Sequence, residues 1–499
     1  MRYDFDTRNF IEENLFPDKI AVAASDADVD WKTLKLVVEN LANQLRELQI
    51  PKGNPVIIFG HKESFFPISI LACIHAEVTY IPIDIVYPLE RIKNIITQTG
   101  SQILINCSDV VLDVEVAILI SCDKTEQIKT PDYSNKIYGN ERDVLQYIMF
   151  TSGSTGNPKG VQIMQSAVRT YLDWTTSDFG FDKDDVFLNQ ALFSFDVSLG
   201  DLLNAFSVGG TLVLTSTDVA TNGSVFLQRL KKYNCTVWSS TPSFVYLFLH
   251  HPDFKEENFP SLHNFILAGE ELPKHICVSL KEKFPKAKII NAYGPTEATI
   301  ITTKVEITED IIQRYETMPI GYAMPSAELW IEKENPDDRV GELIVSGNHV
   351  SIGYLKNEKF TQEKFFLHNG KRAYKTGDLV YEENGVFFYV GRNDEQIKLN
   401  GFRVELNEIT NILRECKGVE NVITLALKRN STTKKIISFV ISASKESEEV
   451  LKSEIYAFLK SKLPNYMIPS DIVFIKKFPY NINHKIDNDK LINFYLQNN

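Results

Sequence analysis

Residues 147–160 read YIMFTSGSTGNPKG. The apolar run 147–150 predicts a strand that delivers the chain into Thr151, Ser152, Gly153, Ser154, Thr155 and Gly156, followed by Asn157, Pro158, Lys159 and Gly160. Glycine lets backbone amides approach an anion closely, hydroxyls donate hydrogen bonds, and lysine supplies a point charge. These are the parts of a phosphate cradle. It is not a Walker A loop, because Lys159 is followed by Gly160 and the glycine spacing differs. Taken alone, the same composition also suits a flexible Gly/Ser loop.

Outward from this loop, short apolar runs alternate with amphipathic stretches. PVIIFG (55–60), TYIPID (79–84) and SQILIN (101–106) read as strands, with FFPISILACIHA and RIKNIITQTG as helices between them. Beyond the loop TLVLTS, CTVWSS, NFILAG and KIINAYG read as strands. They alternate with helices near SVFLQRLKKY, PSFVYLFLHH and PKHICVSLKEKF. This repetition predicts parallel sheets covered by helices. From Met318 to Val390 short strands with Gly or Asn turns dominate: AELWIEK, GELIVSG and GVFFYVG. After Asp394, about a hundred residues read as a compact α+β domain. Its helices lie at ELNEITNILREC and SEEVLKSEIYAFLKSKL, its strands at NVITLALK and KKIISFVIS.

The 499 residues exceed one ordinary domain, and 43% hydrophobic with 24% charged residues is the balance of a large-cored globular protein. The net charge of -12 disfavours nonspecific capture of nucleic acid or anionic membrane. Six scattered cysteines without a CxxC read as buried free thiols in a reducing compartment. The amino terminus lacks an apolar signal core, and the most apolar stretch is interrupted by His75, Glu77 and Asp84. A cytoplasmic protein with neither a nucleic-acid nor a membrane partner is expected.

Several motifs stand in one order: YIPIDIVYPLERI (80–92), the loop 147–160, SFDVS (194–198), NAYGPTEAT (291–299), GELIVSG (341–347), YKTGDL (374–379), GRNDEQIKLNGFRVELNEI (391–409) and NHKID (483–487). In this the chain resembles the acyl-adenylate-forming superfamily, specifically the stand-alone adenylation domains of nonribosomal peptide synthetase type, and is similar to D-alanine–carrier protein ligases. The resemblance implies an α/β enzyme. Residues 1–394 would form two α/β lobes plus a β-rich subdomain that bind ATP and substrate. Residues 395–499 would form a small mobile α+β domain carrying the catalytic lysine.

The family's roles, carried over, are as follows. Asp378 accepts hydrogen bonds from the ribose hydroxyls, and Arg392 adds a cationic contact near the same sugar. Tyr293 stacks on adenine, with Gly269, Glu270 and Glu271 over its other face; Asn291, Ala292, Gly294 and Thr296 complete the nucleotide site. Glu297 coordinates Mg²⁺, a hard cation that favours carboxylate oxygen. Lys485 bridges the attacking carboxylate and the α-phosphate, supplying position and charge where negative charge builds. His484 stands where the family has Gly, and Asn488 where it often has Arg. Asp394 matches the hinge, and Lys398 and Gly401 belong to the face used in a second, thioester-forming step.

Asp196 would pair with the substrate ammonium, since a buried carboxylate needs a partner; capping of the following helix is the plain alternative. The projected pocket is Asp196, Val197, Gly200, Ser239, Ile266, Ala268, Ala292, Ile300, Ile301 and Lys485. With Ser239 its one polar anchor beyond Asp196, it suggests a large apolar or aromatic amino acid, ranked ahead of D-alanine. No carrier-like segment follows NHKID, so a separate phosphopantetheinyl carrier protein is the expected acceptor, ahead of coenzyme A. An acyl- or aryl-acid CoA ligase is the remaining alternative. The implied cofactors are ATP and Mg²⁺.

Overall fold

The computed structural model of the chain describes residues 17–122, 125–129, 131, 143–153, 157–399, 401–429, 432–444, 446–479 and 486–498. These divide into two compact units. The first comprises Met1–Ile85, Ile96–Phe150 and Gly160–Gly391; the second comprises Val86–Ile95, Thr151–Lys159 and Arg392–Asn499.

The first unit contains three sheets. A seven-stranded sheet has Val56–Gly60 and Tyr80–Asp84 near its middle, paired in parallel from Val56↔Tyr80 to Gly60↔Asp84. Both strands are buried along their whole length, as continuous apolar runs covered on two faces require. The intervening helix, Phe65–His75, buries all but its last residue, which matches its lack of a polar face. A nine-stranded sheet holds Ile20–Ala23, Thr211–Leu214, Val186–Asn189, Val237–Ser240, Asn264–Leu267 and Lys288–Tyr293 in parallel. The third sheet, five-stranded and antiparallel, runs from Glu328–Glu332 to Val386–Arg392, where the change of texture predicts a β-rich subdomain.

The purely parallel expectation needs correcting at the sheet edges. Asp28–Asp30, Thr303–Glu306, Tyr322–Ala323 and Thr125–Gln127 pair antiparallel. Asp28–Asp30 and Thr125–Gln127 return through connections of four residues, too short for the crossover a parallel pair needs. The cysteine reading also needs correcting. Cys73, Cys235, Cys277 and Cys416 are buried, but Cys107 is half-buried and Cys122 is exposed; all six are free thiols.

In the second unit a hairpin, Gln396–Leu399 with Phe402–Glu405, leads into the helix Leu406–Arg414. The strands Val419–Arg429, Thr432–Ser442 and Asp471–Phe474 form a sheet, and the helix Glu448–Lys462 starts at an Ser447 cap that accepts from the Val450 amide. The segment KLINFYLQNN carries no predicted element, yet its described residues, 490–498, lie in a helix, Asn488–Asn498. That helix packs Leu491 and Tyr495 on Leu425, Ile437 and Phe439. Among the described residues no helix is long and apolar enough to cross a membrane.

Candidate active site

Parallel strands of an open sheet offer their carboxyl ends to ligands. In the nine-stranded sheet those ends carry Ser239, Ile266, Ala268, Ala292 and Tyr293, and register pairs Ser239 with Ile266 on adjacent strands. The helix Asp196–Ser207 follows the strand Val186–Asn189, so Asp196 sits in its first turn, where the helix dipole favours a carboxylate. Asp196 and Ala292 are buried.

One cavity of about 30 Å³ gathers seven of the projected pocket residues: Val197, Gly200, Ser239, Ile266, Ala268, Ile300 and Ile301. A Cβ added at Gly200 would lie 3.0 Å from the Tyr171 hydroxyl and 3.3 Å from Ile300, so glycine is what keeps this space open. Ile300 has φ +70 and Thr299 φ +54, a left-handed pair that L residues adopt at a cost.

The cavity corrects the expectation that Ser239 is the lone polar anchor beyond Asp196. Tyr171, Thr175, Asp201 and Asn204 line it too. Asn204 Nδ2 donates to the Tyr171 hydroxyl at 3.0 Å, and Thr175 Oγ1 donates to Asn204 Oδ1 at 2.6 Å. Asp201 accepts from Asn189 Nδ2 at 3.2 Å and partners the Ser239 hydroxyl. Behind it the buried Lys62 ammonium donates to Asn189 Oδ1 and the Ala191 carbonyl and lies 4.1 Å from the Phe193 ring centre. Burial pushes the Asp201 carboxyl up to about 7 against the pull of Ser239 and Lys62. It pushes Lys62 down to about 7 against Asp84, Asp201 and Glu63. These residues escape a sequence reading because Tyr171 with Thr175, and Gly200 with Asn204, are i,i+4 pairs on helices, a spacing that ordinary core packing shares.

In the same unit the Tyr293 hydroxyl donates to Asp378 Oδ2 at 2.5 Å, both residues being buried. Asn291 Nδ2 donates to the Pro319 carbonyl at 2.6 Å. Gly269 has φ +88, Glu270 accepts from the Ser243 amide at 3.0 Å, and burial raises the Glu271 carboxyl. A Cβ at Gly294 would meet the Ile301 Cα at 2.4 Å, so only glycine fits there. Thr296 opens a 3-10 turn that carries Glu297, which is fully buried and accepts from the Tyr354 hydroxyl at 2.8 Å. No group of three or more His, Cys, Asp or Glu side chains is placed to hold a metal among the described residues. A single carboxylate with substrate oxygens and water suits Mg²⁺, which keeps much of its hydration shell.

In the second unit the described residues of the loop 151–159 bond to carboxylates and a carbonyl of the same unit. The Gly153 amide donates to Glu408 Oε2 at 2.9 Å, Lys159 Nζ meets Glu405 Oε1 at 3.0 Å, and Ser152 Oγ donates to the Arg403 carbonyl at 3.1 Å. Glu408 Oε1 also pairs with Arg91 at 2.7 Å. Glu405 and Glu408 flank the start of a helix three residues apart, a spacing that invites a capping reading and conceals this role. Thr151 ends the strand Leu145–Thr151; Ser154, Thr155 and Gly156 lie outside the described residues.

Arg392 and Asp394 form a two-pronged ion pair, with Nε and Nη2 each 2.6 Å from a carboxylate oxygen. Burial raises the Asp394 carboxyl, but the Arg392 contacts outweigh it and hold it below the usual range. Lys398 lies on the hairpin opposite Arg403, and Gly401 takes φ +85 in its turn. Lys485 lies outside the described residues.

The model of AMP-binding enzymes matches residues 11–355, and that of the AMP-binding enzyme C-terminal domain matches residues 408–485. The chain belongs to this family, the acyl-adenylate-forming enzymes, and is an ATP-dependent adenylating ligase. It is 37% identical to a D-alanine–D-alanyl carrier protein ligase of Bacillus licheniformis over 95% of this chain and 96% of the relative. The ligase of the same name from Bacillus anthracis gives the same figures. Among solved structures, the Vibrio cholerae adenylation domain AlmE, in complex with glycyl-adenosine-5'-phosphate, superposes with a TM-score of 0.83 at 22% identity. The match covers 100% of this chain and 99% of AlmE. The amide bond synthetase McbA of Marinactinospora thermotolerans gives 0.84 at 20% identity, covering 98% and 99%. Both share the fold.

Proposed function

We propose that the enzyme activates a small α-amino acid as its aminoacyl-AMP, releasing pyrophosphate, and then loads it in the cytoplasm onto the phosphopantetheine thiol of a separate carrier protein. D-alanine is the first substrate to test. The observation that carries this is the cavity at Gly200. At about 30 Å³ it has room for roughly two water-sized groups, and Tyr171 and Ile300 bound it beside Gly200. An aromatic ring would have to displace both. The curated relatives, ligases of D-alanine, support the same choice over the large apolar side chain ranked first from the sequence.

In this reading Asp196 takes the substrate ammonium. Asp378, steered by the Tyr293 hydroxyl, takes the ribose hydroxyls. The Gly153 amide, Ser152 and Lys159 turn from Glu408 and Glu405 to the phosphates of ATP. Glu297 would hold Mg²⁺, which when bound neutralises charge on the phosphate oxygens. Lys485 bridges carboxylate and α-phosphate. Lys398 and Gly401 serve the second half-reaction. The reaction needs no covalent enzyme intermediate, so positioning and electrostatics carry it.

The deciding experiment is ATP–pyrophosphate exchange with small, large apolar and aromatic amino acids against fatty and aryl acids. Mass analysis of holo-carrier and coenzyme A incubations then follows. Exchange with small amino acids and a mass gain on the carrier are expected. Exchange confined to fatty or aryl acids, or acyl-CoA as the one product, overturns the proposal.

A further inference from the structure

The cavity at Gly200 is small, yet a methyl group would offer its polar wall no partner for the hydrogen-bonding capacity left over from its internal bonds. Asp201 is nine-tenths buried or more and points its carboxylate into a wall shared with Ser239. A carboxylate has about four lone-pair sites, and Asn189 and Ser239 occupy two of them. On the other side the Tyr171 hydroxyl accepts from Asn204 Nδ2 and keeps its own proton to donate. The space that glycine at position 200 leaves open runs up against that hydroxyl. One group that is both donor and acceptor, no larger than a water, complements the pair.

We infer that this cavity reads a side chain of two or three heavy atoms ending in a hydroxyl, that of a serine-class amino acid, and that Tyr171 and Asp201 are the residues that read it. The inference rests on the amino-acid-activating function proposed above and adds the chemical class of the side chain. The substrate hydroxyl donates to Asp201 and accepts from Tyr171; alanine fits the space but leaves the Tyr171 proton and the remaining Asp201 lone pairs unmet. A site built to bond a hydroxyl discriminates against the analogue without it, because its own buried polar atoms are stranded.

The test is pyrophosphate exchange by the full-length enzyme with D- and L-serine, D- and L-alanine and glycine, reading the serine-to-alanine ratio of kcat/KM for the better enantiomer. The ratio is internal to each preparation, so partial loss of folded protein does not distort it. For the wild type it should be one or more. Tyr171→Phe removes the donor, and Asp201→Asn trades the charge and one acceptor oxygen for an NH2 donor, both at nearly constant volume; each should lower it roughly tenfold, the scale of one hydrogen bond to a buried or charged group. If Asp201→Asn does not fold, as its tie to Lys62 allows, Tyr171→Phe alone carries the test. A ratio that stays put in either folded variant, or a wild type using serine at under a tenth of its rate with alanine, overturns the inference and leaves the amino-acid function standing. Exchange with no amino acid at all overturns both.

Discussion

His349 is buried with neither ring nitrogen hydrogen-bonded among the described residues, and burial alone holds its pKa down to about 4. Its carbonyl accepts from Thr299 Oγ1 at 2.6 Å, next to the left-handed Ile300 that walls the cavity. The sign of its pH effect follows from which state binds the proton. The unfolded chain takes it near 6.5 and the folded one near 4. Stability is therefore unaffected above about pH 6.5 and falls as pH drops from there to 4, by on the order of 3 kcal/mol. Urea midpoints across that range should decline less steeply in His349→Gln than in the wild type; parallel slopes would remove the histidine from the account. At Lys485 the expectation concerns rate. Lys485→Ala should lower exchange by at least a hundredfold, on the order of 3 kcal/mol of transition-state stabilisation, while ATP binding by calorimetry changes little. Near wild-type exchange would assign the bridging charge elsewhere.

At the scale of elements, the loop 151–159 and the helix that begins at Leu406 are joined by two carboxylates that hold the Gly153 amide and the Lys159 ammonium, donors to which the proposed function gives a triphosphate. An internal anion on a binding site reduces apparent affinity by the fraction of time it occupies the site. Glu405→Gln weakens the hold on Lys159 and should tighten ATP binding about threefold to tenfold in a calorimetric titration, and unchanged or weaker binding would contradict this. The loop itself tolerates no side chain at Gly153, where a Cβ would sit 2.0 Å from the Asn157 carbonyl oxygen. Gly153→Ala must therefore shift the backbone and should raise the ATP Kd by tenfold or more. In the hairpin, Gly401 is required for its φ of +85. Gly401→Val strains the turn. Loading of a holo-carrier should fall about tenfold more than exchange does, as read from single-turnover mass spectra against pyrophosphate release; equal losses would confine Gly401 to a structural part.

For the whole molecule, two compact units share a chain that crosses between them several times, since Val86–Ile95 and Thr151–Lys159 group with the carboxy-terminal residues. No linear boundary drawn near Asp394 captures that, because a sequence orders residues along one dimension and contacts do not follow it. What the amino-acid sequence determined by itself is whatever physics acts locally. The small-residue loop after an apolar strand, the β/α alternation and the shift to short strands after Met318 all follow from propensity and periodicity within a dozen residues. The buried strands Val56–Gly60 and Tyr80–Asp84 follow in the same way, whereas the helix Phe65–His75, read among the amphipathic stretches, is buried all round. The tertiary structure alone decided which polar groups meet. Tyr293 and Asp378 are 85 residues apart, Lys62 and Asn189 are 127 apart, and Lys159 and Glu405 are 246 apart. The pocket turned from apolar to polar for the same reason. Tyr171, Thr175, Asp201 and Asn204 sit at positions that packing and binding use alike, and only burial beside an open glycine, with hydrogen bonds aimed across the helices, separates one use from the other.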